Sequence, residues 1–554
     1  NTLNSNTTGN YNVGMGYQVL EDNTVGQYNV GIGYHALYHN TTASFNVGVG
    51  YQALEDNTTG QYNVAVGYGC LRENTTGKEN TAVGYYALRK TTTGQRNVAI
   101  GKQAMVNNFT GVRNVAIGND VMTQNSYGND NVAVGSAVLY NNTTGTDNVG
   151  IGTGALGANT VGRFNIGIGS RALEDNTTAS YNVAVGFECL RSNTTGQFNT
   201  ALGFNNLPNS TVATNNVAIG YSSMVNTTTS TDNVAVGYKA AQRNTTGSYN
   251  VALGSSAMYE NTTGQYNIGI GYHAMYQNTA GDYHIAIGHE AMRGNTTGVR
   301  NIAIGRRTLY SNVTGSYNIG IGQESLQFNT TGQYNVALGY EALKDNTTGQ
   351  YNVAIGYRTL YENTVAVANV GIGFAALENN TTGSYNVGIG YRALKANTIG
   401  DRNIGIGYEA LEENTTGKFN VGIGHQAAYT NTTGSYNVGI GYQVLFLNTT
   451  GERNVAIGYR GLYSNVSGNY NVGLGYGNLT NNTIGNNNVG IGYNALTDNT
   501  TGNDNVAIGS SALSNNTTGV SNVAVGQNSM RDSVTARFNV GIGRDTLLNT
   551  TGSF

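Results

Sequence analysis

The side chains able to do chemistry are few, and their spacing argues against most of it. Six histidines, His35, His39, His273, His284, His289 and His425, are scattered along the chain, and none sits in a metal-ligand motif. The two cysteines, Cys70 and Cys189, are far too distant in sequence for a Cys-x-x-Cys redox or zinc motif. Acidic pairs such as Glu21-Asp22 and Glu55-Asp56 have the composition of calcium ligands or paired acid–base carboxylates, but their regular return reads as solubilising charge on a rim. Gly-x-Gly pairs such as Gly31/Gly33 and Gly371/Gly373 lack the glycine-rich turn opening a helix that a phosphate loop needs. The acceptor pattern Asn-x-Ser/Thr recurs and offers Asn6, Asn57, Asn261, Asn346 and Asn448 as candidate glycosylation sites on an exposed turn, against the plainer reading of a stacked Asn/Thr ladder. No Ser-His-Asp or Cys-His grouping stands out. The expectation is a non-catalytic chain with no cofactor and no metal.

The elements that position these residues follow from composition. The chain has 554 residues, with 80 glycines, 1 proline, no tryptophan and 10% charged residues, against about 25% charged in an average globular domain. A single proline excludes collagen and proline-rich linkers. The 39% hydrophobic content and 39 tyrosines exclude a highly charged disordered chain. The formal charge of −3 supplies no basic field for nucleic acid. No apolar run reaches the roughly 18 residues of a membrane helix, so membrane insertion is not expected.

Composition this skewed points to repetition. Asn-Thr-Thr-Gly or a variant of it starts at Asn6, Asn23, Asn40 and Asn57, and the step of 17 continues to Ser533 without insertion or deletion, giving 32 units. The working consensus is N-T-T-G-x-Y-N-V-A-I-G-Y-x-A-L-x-x, numbered below as slots 1 to 17. Surface loops tolerate changes of length, whereas a stacked coil does not, because each residue lies over its equivalent one layer away. The chain therefore reads as one continuous array over residues 1–554, a parallel all-β solenoid of about 32 coils. At the roughly 4.8 Å spacing of β-layers, it would form a rod roughly 150 Å long.

Each slot carries an expectation. Slots 6 to 10 alternate as a strand. On that reading Val64, Val66, Val353 and Ile355, from slots 8 and 10, face inward and form a core ladder with Leu71 and Leu360 of slot 15. Slot 9, always Ala or Gly, would then lie on a bare outer face open to contact by another chain. Slot 7 is Asn in 31 of 32 units, with His284 the exception, and should stack amide on amide. Slot 11 is glycine in all 32 units, which fits a positive φ. Slots 12 to 16 leave a short strand, a helical turn and an arc all open. Slots 6 and 12 hold 29 of the 39 tyrosines, interspersed with residues such as Arg96 and Arg306, and should be exposed. Cys70 and Cys189 both replace Ala at slot 14, seven coils apart, which excludes an intrachain disulfide.

The stretch Asn80-Thr81-Ala82-Val83-Gly84-Tyr85-Tyr86-Ala87-Leu88 resembles the N-T-A-[VI]-G-Y-x-A-L repeats of phage tail fibres and large bacterial surface proteins. Its N-V-A-I-G strand is also similar to the head repeat of trimeric autotransporter adhesins. The resemblance covers the whole chain. It implies a left-handed β-roll, three chains wound about one axis as a homotrimer, and a place outside the cell, on a virion or a cell surface. The 17-residue coil departs from the roughly 14 to 15 residues of the adhesin head, and no coiled-coil stalk or membrane anchor lies in this sequence.

The expected function is a structural extracellular fibre, the shaft of a phage tail fibre or a microbial surface filament. The alternative is an adhesive module whose Tyr/Arg columns bind a cell-surface glycan or receptor. The uniform repeat predicts no discrete binding pocket. Neither end of the sequence carries a cap, which predicts a longer parent chain or end-to-end stacking of copies into a filament.

Overall fold

The computed structural model describes residues 2–549. The chain groups into two compact units that divide between Ala280 and Gly281, and each is described by itself. The first carries sixteen strands, from Val13–Tyr17 to Ile268–Ile270, and the second another sixteen, from Ile285–Ile287 to Val540–Ile542. The strands are short and parallel, and within each unit successive strands pair with their equivalents one repeat on. In the first unit Val64, Ala65 and Val66 align with Thr81, Ala82 and Val83. In the second Val353, Ala354 and Ile355 align with Val370, Gly371 and Ile372. The fold is all-β, a parallel solenoid with one 17-residue coil per layer, and the described residues form no helix.

The strand faces the opposite way from the sequence expectation. Ala65 and Ala354 of slot 9 are fully buried, whereas Val66 and Ile355 of slot 10 are 37% and 36% exposed. Val64 and Val353 of slot 8 are half-buried on the same outer face. Of the expected core ladder only Leu71 and Leu360 lie inside. The cause is room. A Cβ added to Gly31, at slot 9, would meet Val19 Cγ1 of the opposite wall at 2.5 Å. The interior beneath the strand is too thin for a branched side chain, so Ala or Gly fills it. The β-branched residues instead pack along the outside against their own copies above and below, where a pleated surface suits them.

The slot-11 glycines have φ between +116° and +142°. They lie where the chain leaves the strand and passes close to the next coil: a Cβ on Gly492 would sit 2.8 Å from the carbonyl oxygen of Gly509. Close approach is made, but by the neighbouring coil of the same chain.

Beyond the strand the backbone turns as an arc. Slots 13 and 15 take left-handed φ, as at Gln443 (φ 49) and Leu445 (φ 51), and slot 6 does so at Tyr62 (φ 60). The last explains why the strand starts at slot 8 and not at slot 6. A non-glycine residue in this region costs about 1–2 kcal/mol, and ladder bonds to neighbouring coils hold such residues in place, as Leu71 N–H to Ala87 O at 3.0 Å. The arc drives slots 14 and 15 inward, where Ala or Cys and Leu or Met are buried.

The other half of the interior is polar. Asn57 at slot 1 donates from Nδ2 to Asn40 Oδ1 and to Gly60 O, each at 3.0 Å. Asn63 at slot 7 donates to Gly77 O of the next coil at 2.9 Å. Both asparagines are fully buried, and a buried amide is tolerated because its donors and acceptor are paired. Slot 2 closes the turn, with Thr58 Oγ1 donating to Thr75 O at 2.9 Å.

Candidate interaction face

The outer face of the sheet is built from slots 6, 8, 10 and 12, which alternate with the buried Asn and Ala/Gly of slots 7 and 9 and the half-buried Gly of slot 11. Its cross-section is Tyr, Val, Val/Ile, Tyr. In the second unit Tyr442, Tyr459, Tyr476 and Tyr493 stack in sequence, with ring centroids 5.1, 4.7 and 5.2 Å apart. On the other border Tyr317, Tyr334 and Tyr351 stack at 4.9 and 5.1 Å. The first unit repeats the pattern, as with Tyr51 and Tyr68 at 4.7 Å. Offset ring pairs of this kind contribute about 0.5–1.5 kcal/mol each beyond area burial. The rings remain exposed while stabilising their own column. At some positions an arginine replacing tyrosine inserts between rings: Arg402 Cζ lies 5.5 Å from the Tyr385 centroid and 5.3 Å from that of Phe419.

The arc carries the charge, and it is paired both within and between coils. Lys344 Nζ reaches Glu324 at 2.8 Å and Glu341 at 2.7 Å. Arg392 reaches Glu412 at 2.7 Å, and Arg72 reaches Glu55 at 2.9 Å. The acidic residues read as a solubilising rim are thus in part ladder rungs. The hydrogen bond from Lys344 holds the Glu324 carboxyl below its usual range.

The candidate glycosylation sites separate sharply. Asn57, Asn261, Asn346 and Asn448 are buried, and their Nδ2 atoms each donate to the equivalent amide one coil back, Asn448 to Asn431 Oδ1 at 2.8 Å for example. A glycan on that nitrogen would break the stack, so these four are corrected from exposed acceptors to core residues. Asn6 alone of the five is exposed, with Nδ2 on Gly9 O at 3.0 Å.

Cys70 and Cys189 are free, buried thiols. Cys70 Sγ donates to Gly84 O at 3.0 Å, and burial pushes its pKa up to about 11. His284 takes the place of a slot-7 Asn. It is fully buried, with Nε2 2.6 Å from Gly298 O and Nδ1 3.1 Å from the Asn301 N–H. These partners call for the neutral ring protonated at Nε2, and burial holds the pKa down at about 4. Among the described residues no group of three or more His, Cys, Asp or Glu side chains is arranged to hold a metal ion. Among the same described residues no helix is long and apolar enough to cross a membrane.

The uniform surface has a break that the repeat did not predict. A cavity of about 170 Å³ lies between Tyr459, Arg460, Tyr476, Gly477, Thr480 and Asn494. It opens because Gly477 stands at slot 13, where the neighbouring coils carry Arg460 and Asn494. The sequence signal was present, a glycine in a column of long polar residues, but it is inconspicuous among 80 glycines.

No protein-family model matches the chain, and no curated protein matches it. The class defined by fold and surface is that of β-solenoid repeat proteins.

Proposed function

We propose that this chain is a non-catalytic structural shaft, working outside the cell on a virion or a microbial surface, and built from several copies of itself. One observation carries the reading: the outer sheet face presents Val and Ile, bordered by tyrosine, where a solitary antiparallel or solenoid sheet would ordinarily place polar residues. Contiguous apolar surface on this scale marks an interaction site. The face recurs at every coil, so its partner must be periodic too. A second copy of this chain supplies the same 17-residue spacing, and three copies about one axis would cover the Val and Ile columns of each. The likeness of the Asn80–Leu88 stretch to tail-fibre and adhesin-head repeats supports the same arrangement.

The test is to place charge on the face. Val353→Lys with Ile355→Lys should leave a folded, strand-rich chain, because both side chains lie on the outer surface, but it should lower the assembled mass measured by light scattering. Unchanged assembly in the folded double variant would sink the self-association reading. A second reading, a glycan-binding surface, is favoured at one place by the notch around Gly477.

A further inference from the structure

Five arginines occupy slot 13: Arg171, Arg307, Arg358, Arg392 and Arg460. The first four meet carboxylates. Arg171 lies 3.2 Å from Glu188, Arg307 3.0 Å from Glu290, Arg358 3.1 Å from Glu378 and Arg392 2.7 Å from Glu412. Around Arg460 the corresponding positions are Gln443 and Gly477 in its own column and Phe446, Tyr463 and Thr480 at slot 16, so no acid is in place. Its guanidinium lies 4.3 Å over the Tyr463 ring, while its Nε is buried and makes no hydrogen bond among the described residues. The cation is therefore held in position with no carboxylate partner among those residues.

The cavity stands against this group. Gly477 (φ 64) carries no side chain where the slot-13 residues of the adjoining coils do, and a Cβ there would clash with Oδ1 at the movable end of Asn494. The two other glycines of this slot have no uncompensated cation beside them. Gly69 stands between Gln52 and Tyr86 in its column, and Gly154 adjoins Arg171, which is already paired. The notch wall has three further qualities. Tyr459 and Tyr476, stacked at 4.7 Å, present exposed aromatic surface. Thr480 supplies a hydroxyl and Asn494 an amide. About 170 Å³ is well below the roughly 300–1,000 Å³ of pockets for drug-sized ligands, and it suits one ring.

We propose that this notch binds a single carboxylate-bearing sugar residue, a uronic acid or its like. Arg460 takes the carboxylate, a tyrosine face takes the apolar side of the pyranose, and Thr480 and Asn494 take ring hydroxyls. Planar guanidinium donors match carboxylate geometry, and aromatic rings present the amphipathic surface that a sugar face needs. The site uses slots 12, 13 and 16 and none of the slot-8 and slot-10 columns. Its success or failure is accordingly distinguishable from that of the shaft reading.

Glucuronic acid, glucose and acetate should each be titrated into the full-length assembled chain, with saturation-transfer NMR and calorimetry as readouts. Glucuronic acid should bind with a dissociation constant on the order of 1 mM, as expected for one ion pair and one stacking contact, and glucose and acetate at least tenfold more weakly. Arg460→Gln should weaken glucuronate binding at least tenfold. Gly477→Gln, which restores a residue native to this slot and fills the notch, should do the same without altering the strand-rich circular dichroism. Arg392→Gln, in the same column but already paired, should leave binding unchanged. The proposal is overturned if glucuronate does not bind, if glucose or acetate binds as well as glucuronate, or if either notch variant binds like the parent chain.

Discussion

Asn63 Oδ1 accepts two hydrogen bonds from Asn80, the equivalent residue one coil on: the backbone N–H at 3.0 Å and the side-chain Nδ2 at 3.1 Å. Asn80 Nδ2 also donates to Gly94 O at 2.9 Å, and Asn80 Oδ1 accepts the N–H of Asn97 at 3.0 Å. A single amide thus joins three consecutive coils. This is what forbids insertions: a one-residue slip would strand buried donors on both sides.

Removing that amide should be costly. Asn80→Ala leaves the Asn97 N–H and the Gly94 carbonyl buried and unpaired, and each orphaned group costs about 1–3 kcal/mol. The expected loss is about 3 kcal/mol or more, localised to the adjoining coils, and visible as faster amide exchange at Asn97 and its neighbours. Exchange unchanged from the parent chain would contradict the ladder's role.

Slot 11 should be intolerant where slot 9 is not. Gly492→Ala places a methyl in a backbone region that L-residues avoid and against the Gly509 carbonyl, for an expected loss of about 3 kcal/mol or more. Ala507→Gly makes a change that the neighbouring coil already carries at Gly490 and should cost about 1 kcal/mol or less. Urea unfolding of the two variants checks the order.

His284 should make the second unit sensitive to acid. Its folded pKa of about 4 lies below its ordinary value of 6.5, so the unfolded chain takes up the proton first. Stability is then full above pH 6.5 and is lost as pH falls toward 4, by about 3 kcal/mol over that span. His284→Asn restores the consensus amide and should remove this part of the pH dependence. The difference between the two unfolding profiles from pH 7 to pH 4 is the measurement.

The cysteines should be inert while the coil is closed. Burial raises the pKa of both thiols, and both side chains are enclosed. Iodoacetamide should label Cys70 and Cys189 at least a hundredfold more slowly in the native chain than in urea, as mass spectrometry would show. Comparable rates would mean that slot 14 is open to solvent.

Much of this was legible in the sequence, and the failures share one cause. The period of 17, the parallel stacking, the glycine conformation at slot 11 and the buried Leu71 and Leu360 all follow from unbroken register. The strand's alternation was also legible, but alternation has a phase, and hydrophobicity assigned it wrongly. Val66 and Ile355 seemed the natural core and Ala65 the surface, yet the space beneath the strand is set by the opposite wall, from slots 14 and 15, which no single strand reveals. Asn57 was misplaced for a related reason. Asn-Thr-Thr-Gly has the composition of an exposed turn, and Thr58 and Thr59 do lie toward solvent, but the asparagine turns inward because its amide can be satisfied only by its copies above and below. The notch at Gly477 was hidden because it is defined by what two neighbouring columns lack.

The most direct test of the structural-shaft reading is electron cryo-microscopy of the full-length chain as it assembles. Several copies are expected, three about one axis, with the columns containing Val353 and Ile355 covered by those of the neighbouring copies. A dispersed 58.2 kDa monomer with those columns open to water would contradict it.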